Sequence, residues 1–263
     1  MTEQPRVVIV TGAGGTGCGR AIAARFAASG ATVVVSDVSE PGGRETVRLI
    51  EGSGGRAIFH RSDVRHDSEV RELVSFAEST FGAPSVLINN ASAPHAPDDG
   101  IERWSECLAT DLLGAISATR WAIEAMRRGG GGAIVNIASI SALWHGRKTP
   151  GGLAGYDVAK AGLIRMTTRL ARLAQVDNIR VNCLAPGWIA TDGPKQYWES
   201  LTPAERIERG VPSRLLSVDE VSRAVMRLAE DRTLAGRVVV WWSEETPRLI
   251  RWGDRGYRDS EDF

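Results

Sequence analysis

The chain has 263 residues, of which 43% are hydrophobic, and its 32 basic and 32 acidic side chains cancel. A chain of this length and composition buries a sufficient core without a disulfide or a metal, and we expect one domain over residues 1–263. The balanced charge argues against nucleic acid and against an anionic membrane surface as partners. No segment approaches the roughly 20 apolar residues of a membrane span, and the three cysteines lack C-x-x-C spacing, so a soluble cytoplasmic protein is expected.

Seven apolar, β-branched runs are predicted as strands, at residues 6–10, 32–36, 56–60, 85–88, 133–138, 179–184 and 237–242. Several are apolar at successive positions, which indicates strands covered on both faces, as in a parallel sheet. The segments between them carry helical stripes such as Ile22, Phe26 and Ala27. This alternation predicts an α/β fold of the doubly wound, Rossmann-like kind, with a seven-stranded parallel sheet flanked by helices. Two segments break the rhythm: a lid-like excursion at about 191–214 and an extra tail at about 243–263.

The first strand is followed at once by the glycine-rich segment TGAGGTGCG, residues 11–19, and then by a predicted helix. Glycines allow the backbone to turn tightly and to approach a pyrophosphate, whose charge is then met by the N-terminal end of the helix. A glycine cluster alone is weak evidence, but its place between the first strand and the first helix predicts a dinucleotide site.

Asp37 ends the second predicted strand. Its carboxylate is suited to accept hydrogen bonds from ribose hydroxyls and to repel a 2′-phosphate. The neighbouring Ser36 and Val38, and Thr16 in the glycine loop, offer no cation to hold such a phosphate. The pattern therefore favours NAD over NADP, the other interpretation being that Asp37 only caps a turn.

Tyr156 and Lys160 are four residues apart at the start of a predicted helix, so both side chains are on one helix face. A nearby ammonium favours the phenolate and lowers the pKa of a tyrosine, which lets the phenol act as acid or base. The pair alone is a frequent accident, and its meaning depends on the rest of the sequence.

Several motifs in order resemble the compact, NAD-preferring short-chain dehydrogenase/reductase family, over about residues 7–240. They are the glycine segment, Asp63-Val64, Asn89-Asn90-Ala91-Ser92, IVNIAS with Ser139, Tyr156 with Lys160, and RVNCLAPGW followed by Ile189 and Thr191. The resemblance implies an oxidoreductase that transfers a hydride between a nicotinamide and a CH–OH or carbonyl carbon of a small molecule.

The resemblance also implies roles for individual residues. Tyr156 would be the general acid/base, Lys160 would hold the nicotinamide ribose, and Ser139 would hydrogen-bond the reacting oxygen. The implied cofactor residues are Gly12, Gly14, Gly17, Cys18, Gly19, Asp37, Val38, Asp63, Val64, Asn90, Ala91, Tyr156, Lys160, Ile189 and Thr191.

The chain departs from the family pattern at three positions near this site. The glycine loop is one residue longer, which leaves open which of Gly14, Gly15 and Gly17 touches phosphate. Ser92 replaces a glycine, a change expected to alter only the turn. Asp111 stands where the family has an asparagine that holds a water in a proton relay with the lysine. We expect the relay to survive through the helix backbone, with Asp111 as a catalytic residue that adds negative charge near Lys160; the other interpretation is a helix Asp with no catalytic part.

The loop between Ser139 and Tyr156 is longer than in the family, and we expect it to border the substrate. Trp144, His145 and Trp188 are the candidate substrate residues, and a bulky apolar substrate would suit them. The four histidines are scattered without metal-ligand spacing, so no metal is predicted.

The sequence leaves several alternatives open. An NAD-dependent enzyme that acts on a secondary alcohol or ketone is the first interpretation. A 3-oxoacyl or polyketide-type ketoreductase and a catalytically silent dinucleotide sensor are the others. The resemblance further implies a homotetramer or homodimer built on the predicted helices 104–128 and 157–176.

Overall fold

A computed structural model describes residues 6–94, 101, 104–143 and 154–253. The first half alternates strands and helices: β1 (Val7–Thr11), α1 (Cys18–Ala28), β2 (Thr32–Asp37), α2 (Glu40–Gly52), β3 (Arg56–Arg61), α3 (Asp67–Phe81) and β4 (Val86–Asn89). Next come α4 (Trp104–Cys107), a π-helix (Leu108–Gly114), α5 (Ala115–Arg128), β5 (Gly132–Ile137) and a short 3₁₀-helix (Ile140–Leu143). The remainder contains α6 (Ala154–Arg169), α7 (Leu173–Val176), β6 (Ile179–Pro186), α8 (Asp192–Glu199), α9 (Pro203–Glu208), α10 (Val218–Glu230), β7 (Val238–Trp241) and β8 (Arg248–Leu249).

The strands form one sheet in the order β3-β2-β1-β4-β5-β6-β7-β8. Strands β1 to β7 pair in parallel, and the chain order reverses its direction across the sheet between β1 and β4. The predicted doubly wound α/β fold with a parallel sheet is therefore confirmed. The difference is the two-residue strand β8, which pairs antiparallel with β7 and lies in the tail for which no strand was predicted.

The core has two main layers, one on each face of the sheet. On one face α1 packs against α10, and its predicted stripe of Ile22, Phe26 and Ala27 is buried. On the other face α3 packs against α5, with the stripe of Val70, Leu73, Val74 and Ala77 buried between them. Strands covered on both faces explain the successive apolar residues that marked them in the sequence.

Both long predicted helices are interrupted. The segment 104–128 is helical throughout its described length, but its middle is wound as a π-helix from Leu108 to Gly114. The predicted helix 157–176 is two helices, α6 and α7, because the chain turns at residues 170–172. The lid-like excursion contains α8 and α9, neither of which has a buried residue.

Candidate active site

The candidate site lies at the carboxyl edge of the sheet, where four neighbouring strands end. The glycine loop follows β1, Asn90 follows β4, Ser139 follows β5 and Gly187 follows β6. Because the chain order reverses between β1 and β4, the crossovers leave in opposite directions there and open a crevice, the place where folds of this kind bind ligands.

The glycine loop needs glycine at its two ends for steric reasons. Gly12 has φ +66°, and a Cβ there would lie 2.6 Å from the Cα of Ala91. A Cβ on Gly19 would lie 2.2 Å from the carbonyl oxygen of Gly12. A Cβ on Gly15, in contrast, meets nothing closer than 4.0 Å, so this position has room that the two ends of the loop lack.

Thr11, Asn90 and Ala91 hold the start of the glycine loop. The amide Nδ2 of Asn90 donates to the carbonyl oxygens of Thr11 and Gly12 at 3.0 and 2.9 Å. The hydroxyl of Thr11 accepts the backbone N–H groups of Asn90 and Ala91 at 3.1 and 3.2 Å. Asn90 and Ala91 thus fix the backbone that turns toward the crevice.

The N-terminal end of α1 fits an anionic group such as a pyrophosphate. Its N-cap is Gly17, which supplies no side-chain hydrogen bond, and its first turn holds no acidic residue. The first N–H groups of the helix and its positive dipole end are therefore left for a ligand. Burial raises the pKa of the Cys18 thiol to about 11, so this side chain adds no negative charge at neutral pH.

The glycine loop also touches the beginning of α8. The hydroxyl of Thr16 donates to Oδ2 of Asp192 at 2.6 Å. A Cβ on Gly17 would lie 3.2 Å from Cγ2 of Thr191, so Thr191 is close to this loop. The loop and the lid-like excursion therefore meet directly.

Asp37 is half-buried at the end of β2, and both its carboxylate oxygens accept backbone N–H groups. Oδ2 accepts from Gly14 at 2.7 Å and Oδ1 accepts from Ser39 at 2.9 Å. Val38, which lies between Asp37 and Ser39 in the chain, is 52% exposed.

The sequence did not indicate one cation near this loop, Arg20. Its guanidinium donates to the carbonyl oxygen of Gly14 at 3.2 Å and to the hydroxyl of Thr46 at 2.9 Å. Arg20 follows the last loop glycine, and only the winding of α1 and α2 brings it back to the loop.

Asp63 and Val64 follow β3 and are both buried. The guanidinium of Arg65 binds both carboxylate oxygens of Asp63, with the shortest contact at 2.6 Å. Chiefly because of these hydrogen bonds, the pKa of Asp63 falls to about 2. Val64 packs on Gly114 of the π-helix, where a Cβ would lie 2.7 Å from its side chain.

Ser139 and Tyr156 are brought together by a hydrogen bond between their hydroxyl groups. Ser139 Oγ also accepts the backbone N–H and the hydroxyl of Ser141 at 3.2 and 2.9 Å. With both lone pairs of Ser139 engaged, its own O–H is directed to Tyr156. Ser141 was missed by the sequence analysis, and the repeated serine in Ser139-Ile140-Ser141 is the signal that could have indicated it.

Lys160 is buried, and its ammonium is held from two sides. Nζ donates to the carbonyl oxygen of Ile137 at 3.1 Å and forms an ion pair with Oδ2 of Asp111 at 3.0 Å. Nζ also lies 5.0 Å from the centre of the Tyr156 ring. Burial lowers the pKa of Lys160, but its interactions with Tyr156 and Asp111 raise the pKa by more. The pKa is therefore raised overall, and Lys160 is a cation at neutral pH.

Asp111 lies in the π-helix. Its buried carboxylate contacts the ammonium of Lys160 directly. Its Oδ2 accepts the hydroxyl of Ser92 at 2.6 Å, and its Oδ1 accepts the backbone N–H of Ala93 at 2.7 Å. Ser92 was expected to alter only a turn. Its side chain instead binds Asp111, the second residue that departs from the family pattern here. Sequence alone could not pair the two, because they belong to separate segments that only the fold brings into contact.

The remaining candidates follow β6. Ile189 forms an isolated bridge with Leu216, and the ring of Trp188 stacks on that of Tyr197 in α8 at 6.0 Å. Trp144 and His145 lie outside the described residues.

Within the described ranges, no cluster of three or more His, Cys, Asp or Glu side chains has the arrangement of a metal site. None of the helices described here is long and apolar enough to cross a membrane.

Comparison with known proteins agrees with this geometry. Residues 6–202 match the short chain dehydrogenase family. An uncharacterized oxidoreductase of Thermotoga maritima is 36% identical over 82% of this chain and 84% of its own length. Cis-4-hydroxycyclohexanecarboxylate dehydrogenase of Sinomonas cyclohexanicum is 33% identical over 86% of this chain and 90% of its own length.

Solved structures give the same result. A 7α-hydroxysteroid dehydrogenase in complex with NADH and 7-oxo glycochenodeoxycholic acid superposes with a TM-score of 0.78, at 28% identity, over 90% of this chain and 92% of its own. The chain therefore belongs to the short-chain dehydrogenase family, oxidoreductases that bind nicotinamide dinucleotides and act on small molecules.

Proposed function

We propose that this protein is an NAD-dependent oxidoreductase, one domain over residues 1–263, that interconverts a secondary alcohol and its ketone. The observation that carries the proposal is the connected set of Ser139, Tyr156 and Lys160 at the end of β5 and the start of α6. It places a proton donor and a fixed cation beside one phenol, in the crevice at the carboxyl edge of the sheet.

The cofactor would be held along that crevice. The glycine loop and the N-terminal end of α1 would bind the pyrophosphate, and Asp37 would accept hydrogen bonds from the adenosine ribose. Asp63 and Val64 would lie at the adenine, and Ile189 and Thr191 at the carboxamide. The bound nicotinamide supplies the hydride chemistry. Among the described residues, two of the three N–H groups of Lys160 are engaged, and the third would bind the nicotinamide ribose.

Tyr156 would carry the proton. In ketone reduction its O–H would give a proton to the carbonyl oxygen, and in alcohol oxidation its phenolate would take the hydroxyl proton. When substrate binds, the single O–H of Ser139 would turn from Tyr156 to the reacting oxygen and orient it by donating a hydrogen bond. The ammonium of Lys160 would stabilise the phenolate left after proton transfer.

We propose a bulky apolar substrate. The stacked rings of Trp188 and Tyr197 follow the end of β6 at the same sheet edge as Ser139. Two of the similar proteins named above are a steroid dehydrogenase and a dehydrogenase of a cyclohexane carboxylate. The aromatic rings of Trp188 and Tyr197 would pack against a flat or cyclic aliphatic substrate.

The experiment is a panel of purified secondary alcohols of increasing bulk, from butan-2-ol through cyclohexanols to hydroxysteroids, followed by NADH absorbance and run in parallel with NADP. Turnover of cyclic alcohols with NAD supports the proposal. A second series measures the oxidation of NADPH and of NADH with 3-oxoacyl thioesters, and turnover confined to these thioesters with NADPH would identify a ketoreductase instead. Calorimetric binding of NAD without turnover of any member would favour a dinucleotide sensor.

We further propose a homodimer or homotetramer. Three large apolar side chains remain exposed on the π-helix and on its neighbours α5 and α6: Leu113, Ile116 and Val158 are 58%, 43% and 44% exposed. Apolar side chains grouped on neighbouring helices are typical of a symmetric subunit interface.

A further inference from the structure

The carboxylate of Asp111 is fixed by three groups from two segments, the residues after β4 and the helix α6. Ser92 and Lys160 both contact Oδ2, at 2.6 and 3.0 Å, and the N–H of Ala93 holds Oδ1 at 2.7 Å. The Asp111 side chain is 0% exposed and the Lys160 side chain is 3% exposed. Water is thus excluded from the pair, and its charges act on neighbours with little screening.

The charge balance around Tyr156 follows from this contact. An isolated ammonium beside a phenol favours the phenolate, but an ammonium paired with a carboxylate at 3.0 Å presents a nearly neutral pair. Burial has the largest influence on the pKa of Tyr156 and raises it. The charge of Lys160 lowers this pKa, and the charge of Asp111 raises it.

We propose that Ser92 and Asp111 form one positioning unit that offsets the charge of Lys160 beside the phenol of Tyr156. The carboxylate disfavours the phenolate, so the phenol is a weaker acid than it would be beside an unpaired lysine. Ser92 holds the carboxylate oxygen that faces Lys160, and Asp111 acts on Tyr156 through Lys160. The role of Tyr156 as proton carrier rests on the proposed function; the effect of Asp111 on its phenol does not.

The other charged groups that face the phenol are few in the described part of the chain. From α6 itself, Asp157 also raises the pKa of Tyr156. From β6, Cys183 faces Lys160, but burial raises the pKa of this thiol to about 12, so it is neutral in the relevant range. Asp111 is therefore the only carboxylate, within the described segments that meet here, in direct contact with the lysine.

The test is titration of the tyrosine itself. The chain has three tyrosines, so the tyrosinate absorbance of each protein minus that of its Tyr156→Phe counterpart reports Tyr156 alone. In Asp111→Asn the midpoint is expected to fall by about one pH unit or more, because a charge at this range shifts a pKa by 1 to 3 units. Asp67→Asn is the matched control and should leave the midpoint unchanged, since Asp67 binds Ser117 and Trp121 at the surface.

Ser92 is tested by a double-mutant cycle. Ser92→Ala is expected to shift the midpoint when Asp111 is present and to have no effect in the Asp111→Asn background, because it acts only through that carboxylate. Equal shifts in both backgrounds would assign Ser92 a purely structural role. An unchanged midpoint in Asp111→Asn, with circular dichroism confirming a folded protein, would overturn the whole proposal.

The titration is independent of catalysis. If the wild-type protein turns over no alcohol or ketone but the midpoint still falls in Asp111→Asn, the proposed function fails and the positioning unit stands. If turnover is found and the midpoint does not move, the reverse holds.

Discussion

Oδ2 of Asp37 accepts the backbone N–H of Gly14 at 2.7 Å, so the carboxylate that ends β2 lies directly against the glycine loop. The same residue Gly14 receives the guanidinium of Arg20 on its carbonyl oxygen at 3.2 Å. An anion and a cation therefore bind the N–H and the C=O of one residue of the loop, and the anion is the group that would meet a ribose.

Replacing Asp37 by Asn is expected to weaken the preference for NAD. The change removes the repulsion of a 2′-phosphate and leaves Arg20 as the nearby cation, so the ratio of kcat/KM for NAD to that for NADP should fall by about tenfold or more, equivalent to roughly 1.4 kcal/mol. Initial rates with each cofactor measure it. Adding Arg20→Gln should cancel the gain with NADP; an unchanged ratio in Asp37→Asn would mean that Asp37 only caps a turn.

Tyr156→Phe is expected to abolish proton transfer while leaving the fold and the cofactor site in place. We expect kcat to fall by about 10² to 10⁴-fold, the usual contribution of a general acid or base. Single-turnover kinetics would measure the loss, and calorimetric titration with NAD should give a Kd within a factor of about three of the wild type. Full turnover by this variant would exclude Tyr156 as the proton carrier.

Alanine is expected to weaken NAD binding at Gly19 but not at Gly15. In Gly19→Ala the new Cβ would lie 2.2 Å from the carbonyl oxygen of Gly12, so the loop must move, and the Kd for NAD should rise by about tenfold or more. Gly15→Ala meets open space and is the matched control, with an expected Kd near the wild-type value. A large loss in Gly15→Ala alone would indicate close approach of the pyrophosphate to the middle of the loop.

Asp63 is expected to stabilise the fold in a pH-dependent way. Its pKa is lowered to about 2, so its stabilisation is complete well above the usual value of 3.8 and is lost as the pH falls toward 2. At pH 7, Asp63→Asn should lower the free energy of unfolding by about 1 to 2 kcal/mol, allowing for the half-exposed Arg65. Urea unfolding at pH 7 and pH 3 measures it, and the difference between the two proteins should be about half as large at pH 3.

Ile116→Glu is expected to disrupt the proposed subunit interface. It places a charge among the exposed apolar side chains of α5 and its neighbours, and burying an unpaired charge at an interface is costly. Sedimentation equilibrium should show a smaller assembly than the wild type. Ile207→Glu on α9, where the side chain is 84% exposed, is the control. A wild-type monomer would remove the proposal altogether.

Much of the fold was predictable because hydrophobic pattern and chain order are local properties of the sequence. The seven parallel strands, the buried stripes of α1 and α3, and the glycine loop before α1 all follow from residue spacing. Strand β8 has only two residues, Arg248 and Leu249, both exposed, so it carries no apolar pattern to detect.

The candidate site was predictable in its residues but not in its contacts. Motif order identified Ser139, Tyr156 and Lys160, because their types and spacing are restricted. The bonds of Ser92 to Asp111 and of Arg65 to Asp63 depend on side-chain positions that only the folded chain sets. Sequence spacing does not determine which carboxylate meets which cation.

The π-helix from Leu108 to Gly114 makes the length of this helix as important as its composition. Each residue of an ordinary helix turns the next by about 100°, and a π-turn takes up one additional residue within the rotation. Deleting a single residue between Cys107 and Asp111 would let the helix return to α-helical winding and would change the rotation of Asp111 relative to α4 without changing any side chain at the site. The electrostatic character of the site is thus encoded partly in a residue count, a property that point substitutions leave untouched.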